Sequence, residues 1–219
     1  MPTDLPPLVA FAVTALLGIS AVQAQGVGEF GCGSLENAYG PFDYTNPTHR
    51  RDDIPIVVGM HFPAHVQSLT RGQTGTIGGD IDYTLRAIPN HHAALNAIAR
   101  YEFQTRKSPP PGSRYTVDCW FDRAMRFKPD DGVVRMVYGI YLAKKGATNE
   151  AAEKYQEAIT LLPNSPEPHY NLGLLYANTG EYGLALEHAH IAYSQNYPLN
   201  GLRRKLQKAG EWREIPIEE

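Results

Sequence analysis

The chain is poor in cysteine, with two in 219 residues. Neither stands in a C-x-x-C or C-x-x-C-H pairing, so thioredoxin-like redox chemistry and c-type haem attachment have no support. There is no G-x-S-x-G elbow of the kind that presents a catalytic serine. The glycine-rich stretch 72–79 lacks the Lys-Ser/Thr ending of a phosphate loop and has no clear strand before it, which removes nucleotide binding. Long Lys/Arg runs are missing as well. With 20 Lys and Arg against 23 Asp and Glu, the formal net charge is −3, and nothing points to nucleic acid as a partner. No cofactor is expected.

What the chain does have is a pattern written twice. Gly139, Gly146, Ala151 and Ala158 are each followed, 34 residues on, by Gly173, Gly180, Ala185 and Ala192. A fixed period of that size marks a solenoid of helical hairpins. Gly139 and Gly173 fall mid-helix, where glycine costs roughly 1 kcal/mol against alanine. They are tolerable if a neighbouring helix packs too close for a side chain, with Ala151 and Ala185 receiving it. Gly146 and Gly180 fall where a first helix ends, and glycine takes the left-handed conformation there without strain. Pro163 stops the second helix of the first copy.

These residues resemble the tetratricopeptide repeat. The first copy reads Arg135-x2-Tyr138-Gly139-x2-Leu142, then Ala151-x3-Tyr155 and Pro163. The second reads His169-x2-Leu172-Gly173-x2-Tyr176, then Ala185-x3-Ala189, with Pro198 one residue late. Neither copy has the tryptophan of the family signature. A divergent copy extends the pattern backwards: Pro89 precedes Leu95 as Pro129 precedes Arg135 and Pro163 precedes His169. Its extra length is expected in the turn Ser108–Ser113.

The resemblance implies an all-α, right-handed solenoid of tetratricopeptide-like hairpins over 80–198. Its expected parts are a degenerate half repeat at 80–91, a divergent repeat at 92–130 and two repeats at 131–164 and 165–198. An irregular N-terminal arm is expected at 25–79. Within it, Ile54–Met60 reads as a strand or a buried helix start, and a helix is expected from Pro63 to about Arg71, leaving His61 outside it. The basic amphipathic segment Asn200–Ala209 is expected as a capping helix within 199–219.

The front of the chain has the character of a processing segment. Leu8–Val22 is uncharged and 15 residues long, about 22 Å as a helix and short of the roughly 30 Å hydrocarbon core. Val22-Gln23-Ala24 offers small residues for a cut after Ala24. The expectation is a signal peptide at 1–24, no membrane span after its removal, and an exported location of bacterial type, periplasmic or secreted. An uncleaved N-terminal membrane anchor is the alternative. In an exported chain Cys32 and Cys119 are expected as a disulfide, with two buried thiols as the alternative.

For function, the resemblance implies a non-enzymatic scaffold that binds a protein or peptide. In the family the groove residues are those of the first helices that point away from the glycine seam. Carried onto matching offsets they are Asn96, Arg100 and Gln104, then Met136, Ile140 and Lys144, then Tyr170, Leu174 and Asn178. The set suits a peptide with one or two large apolar side chains and a carboxylate. It does not match the family's clamp for acidic C-termini, because Met136 and Ile140 stand where Lys, Arg and Asn are wanted.

Two other readings remain. His61, His65, Asp80, Asp82, His91 and His92 carry imidazoles and carboxylates that could hold a metal in a metal-dependent or hydrolytic enzyme. Their spacing is poor, and helix capping and inter-helix hydrogen bonding account for them more simply. The third reading is a structural subunit of an envelope assembly.

Overall fold

The computed structural model describes residue 1 and residues 31–214. The expected signal segment 1–24 therefore lies almost wholly outside the described residues. Among the described residues every regular element is a helix, and no helix is long and apolar enough to cross a membrane.

Four helices build the N-terminal part: α1 (Pro47–Asp52), α2 (Ile54–His61), α3 (Ala64–Gln67) and α4 (Ile77–Ala87). Hairpins follow. Helix α5 (His92–Thr105) pairs with α6 (Val117–Phe127), α7 (Gly132–Lys145) with α8 (Thr148–Leu161), and α9 (Pro166–Thr179) with α10 (Tyr182–Ser194). Helix α11 (Gly201–Ala209) closes the C-terminal end. The first helices lie side by side, α5 against α7 and α7 against α9, as a solenoid of hairpins requires.

Local sequence sets the boundaries. Asp131 caps α7 by accepting from the Val133 and Val134 N–H groups at 3.1 and 3.2 Å. Helix α9 begins on Pro166, whose missing N–H costs nothing at a first turn. Gly146 and Gly180 end α7 and α9 with φ of 87° and 86°. The seam glycines are close approaches: a Cβ on Gly139 would lie 2.7 Å from the buried Tyr155 ring, and one on Gly173 would lie 2.6 Å from Leu202 and 3.3 Å from the Ala185 carbonyl.

The main core runs through α3 to α9. Trp120, Phe121, Ile81, Leu85, Leu95, Ile98 and Leu172 are fully buried in it, each contributing roughly 1.5–3 kcal/mol. A second cluster joins α9, α10 and α11 around Ala185, Ala189, Ala192, Leu202 and Leu206.

Residues 31–46 form an extended arm along α4 and α6. Cys32 is bonded to Cys119. Arg123, buried beneath the arm, donates to the carbonyls of Cys32 and Ser34 at 2.9 and 2.6 Å. Its guanidinium lies over the Tyr115 and Trp120 rings. The Phe42 N–H donates to the Ala87 carbonyl at 2.8 Å.

Residues 47–67 depart from the irregular arm expected there. Asn46 caps α1, and Pro47 and Pro55 occupy first-turn positions where proline favours a helix. The apolar run 54–60 is helical, and His61 is its last residue rather than a loop residue. Pro63 caps a single turn, so the helix expected to reach Arg71 ends at Gln67. The last residues of the glycine-rich loop are helical too, because Thr76 accepts from the Gly79 N–H and starts α4 at Ile77.

Candidate functional site

The inward row of α5 and α7 forms an open pocket of about 240 Å³. Its floor is Ala99, Phe103, Val137 and Tyr141, and its sides are Asn96, Arg100, Ile140 and Lys144. Ile140 is 39% exposed, unusual for so apolar a side chain. The Lys144 ammonium lies 4.5 Å over the Phe103 ring. The Phe103 and Tyr141 rings are 5.6 Å apart, and Tyr141 donates to Glu102 at 3.3 Å. Burial pushes the Tyr141 hydroxyl well above its usual range, reinforced by the Asp118 and Glu102 charges, so it stays a neutral donor. Burial likewise raises the Glu102 carboxyl. Arg100 and Lys144 have no ion pair among the described residues, which leaves two cations beside an apolar floor.

The nine groove positions carried over from the repeat pattern separate here. Asn96, Arg100, Ile140 and Lys144 come together around the pocket. Gln104 and Asn178 are exposed further along their helices, and Met136 and Leu174 are half-buried against the cores. Tyr170 is buried apart from the others. It is 7% exposed, with its ring 4.5 Å from Tyr197 and its hydroxyl against the backbone of Gly201 at the start of α11. Phe103, Ala99, Val137 and Tyr141 are the residues the pattern missed. Phe103 follows Arg100 by three, Val137 precedes Ile140 by three and Tyr141 precedes Lys144 by three, so they adjoin the assigned positions on the helix surface.

The His/Asp segment is spread over separate contacts. Asp80 accepts from the Gln73 N–H at 2.7 Å, from Thr74, and from His61 at 3.2 Å. Burial alone would raise its pKa; the hydrogen bonds from Thr74, Gln73 and His61 outweigh that and hold it low. The His61 ring stacks on Tyr83 at 4.0 Å. Asp82 accepts from Arg86 and from the Arg114 N–H, tying α4 to the loop before α6. His65 sits on α3, its Nε2 buried without a partner. His91 caps α5 by accepting from the Ala94 N–H at 3.2 Å. His92 reaches across to Asp131 at 2.9 Å, and Asn90 donates to the same carboxylate at 2.9 Å. Among the described residues no three His, Cys, Asp or Glu side chains assemble into a metal set.

Consecutive helix pairs, a seam of close-packed glycines and a row of adjacent first helices define a helical-repeat solenoid. The family model of the tetratricopeptide repeat matches residues 141–180. The peroxisomal targeting signal receptor of Candida albicans is 37% identical over 73 residues, 33% of this chain and 12% of the relative. The receptor of the same name from Eremothecium gossypii is 36% identical over 81 residues, 37% of this chain and 14% of its own length. That of Candida glabrata is 33% identical over 81 residues, with the same two shares. Residues 141–180 carry a tetratricopeptide repeat within this helical solenoid, and the chain spans only a small part of the curated relatives it matches. These relatives overturn the expectation of an exported chain, periplasmic or secreted. They are named for a peroxisomal targeting signal, a setting that is neither periplasmic nor secreted.

Proposed function

We propose that the chain is a non-enzymatic scaffold that binds a short polypeptide segment in the pocket between α5 and α7. The observation that carries this reading is the pairing of an apolar floor with two cations lacking ion pairs, Arg100 and Lys144. A ligand that fits places one large apolar side chain against Phe103, Val137 and Ile140, with a carboxylate within reach of Arg100 or Lys144. The amide of Asn96 adds a donor and acceptor for peptide backbone. The relatives are by name receptors for a targeting signal, which supports a segment of polypeptide as the ligand. The His/Asp segment favours binding over catalysis, since its side chains are engaged in caps and inter-helix bonds.

Selection from a random peptide library, followed by titration of the winners, tests this. Ile140→Glu puts a charge at the pocket wall at an exposed position. It should weaken selected peptides at least tenfold, about 1.4 kcal/mol, while the melting temperature stays near the parent. Undiminished binding to the folded variant would place the ligand elsewhere.

A further inference from the structure

A second cleft, of about 350 Å³, opens at the other end of α5, between α1, α2 and the residues that start α5. That volume is in the range of small-molecule sites, which pair apolar walls with a few convergent polar groups. Its walls include Tyr44, Val58 and Phe62, and its polar groups are Arg50, Gln67 and His91.

His91 makes this cleft more than a surface dent. The side chain is 4% exposed, held between the Tyr44 ring at 4.4 Å and the Phe62 ring at 5.2 Å. Its Nδ1 accepts from the Ala94 N–H, so the ring hydrogen belongs on Nε2. Among the described residues Nε2 has no hydrogen-bond partner. At the matching starts of α7 and α9 stand Asp131 and Ser165, ordinary capping residues. Asp131 caps through its carboxylate and Ser165 makes no side-chain cap bond, whereas His91 both caps α5 and lines the cleft, bringing a ring N–H to it. Burial, aided by the neighbouring His92, lowers the His91 pKa to about 4, so the ring is a neutral donor at pH 7. Arg50 supplies a cation at the rim, its guanidinium 5.5 Å over Tyr44.

We propose that this cleft binds a small monocarboxylate with an apolar body. The carboxylate lies between the Arg50 guanidinium and the His91 Nε2–H, and the hydrocarbon lies on Tyr44, Val58 and Phe62. A single cation with one neutral donor matches one negative charge. A phosphate dianion would keep a charge unmatched against walls that are half apolar.

Octanoate is the probe, titrated calorimetrically against the whole chain and followed by the His91 ring resonances. One saturable site is expected, with the His91 signals moving on binding. Octanol, which has the same body without the charge, should bind at least tenfold more weakly. Arg50→Met should weaken octanoate at least tenfold and Arg50→Lys should restore most of it; Arg50 is exposed, so both variants should keep the parent melting temperature. His91→Asn, which retains a cap for Ala94, should weaken it severalfold. The proposal is overturned by octanol binding as well as octanoate, by equal affinity in Arg50→Met, or by no saturable site at about millimolar octanoate. It is also overturned if Arg100→Met abolishes binding and Arg50→Met does not, which would put the acid in the α5–α7 pocket.

Discussion

Replacing His91 by Asn should change how the stability of this protein depends on pH. His91 is neutral and buried when the chain is folded, with its pKa lowered from 6.5 to about 4 by burial and by His92. Above pH 6.5 the ring is neutral in both states and the group contributes no pH dependence. Between 6.5 and 4 the unfolded chain takes up a proton that the folded chain refuses, so stability falls as pH falls. Below 4 both states are protonated and the loss stops growing. Each pH unit in the window is worth about 1.4 kcal/mol, so the whole loss is on the order of 3 kcal/mol. The structure gives the reason for the refusal: a protonated ring could no longer accept from the Ala94 N–H, and it would carry a charge between Tyr44 and Phe62. Asparagine keeps the cap and does not titrate. Urea unfolding of parent and variant at pH 7 and pH 4 cancels the carboxylates and the other histidines common to both. At pH 7 the variant should be the less stable, by roughly 1–3 kcal/mol of lost ring packing. By pH 4 that gap should shrink or reverse, moving by about 3 kcal/mol. A gap that stays within about 0.5 kcal/mol of its pH 7 value would refute the assignment, as would an NMR titration of His91 centred near 6.5.

Gly139→Ala should destabilise by about 1–3 kcal/mol in thermal unfolding, because the new methyl meets the buried Tyr155 ring at 2.7 Å; a gain of stability would show that Tyr155 yields and helix propensity wins. Breaking Cys32–Cys119 opens a loop with a sequence separation of 87, and chain entropy puts the loss at up to about 4–5 kcal/mol. Alkylation of denatured, unreduced protein should label no thiol, and two labelled thiols would rule the bridge out. Together with the Ile140→Glu titration, these experiments test the groove, the seam and the arm separately.

The repeat was legible in the sequence because its physics is local and periodic. Gly139 and Gly173 announce a close approach, and Gly146 and Gly180 announce a left-handed stop, wherever the period of 34 puts them. Of the three short helices over 47–67, α1 was not legible, the run 54–60 read as either a strand or a helix start, and α3 was expected but ends at Gln67 rather than near Arg71. The apolar run 54–60 is too short to show a 3.6-residue period, and α1 starts through an asparagine cap and a first-turn proline rather than through a long amphipathic face. Tyr170 illustrates a different limit. Its offset within the repeat matches Met136, yet its burial depends on where α11 comes to rest, which no repeat position encodes. His91 and His92 were legible as polar residues at a helix start. That one caps while the other pairs with Asp131 follows from the packing of α5 on α7.

The burial of Tyr170 makes α11 a ruler for the proposed peptide groove. Helix axes pack 8–10 Å apart and extended chain advances about 3.3 Å per residue, so crossing from α5 to α7 takes roughly three ligand residues. A fourth or fifth residue continuing toward the start of α9 finds no free tyrosine, since Tyr197 and the first turn of α11 already occupy it. Leu202 and Leu206, fully buried, hold that shutter in place. On the proposed reading, a helix outside the repeats would set how far along the groove a ligand extends, and trimming the chain before Gly201 would uncover Tyr170 for it.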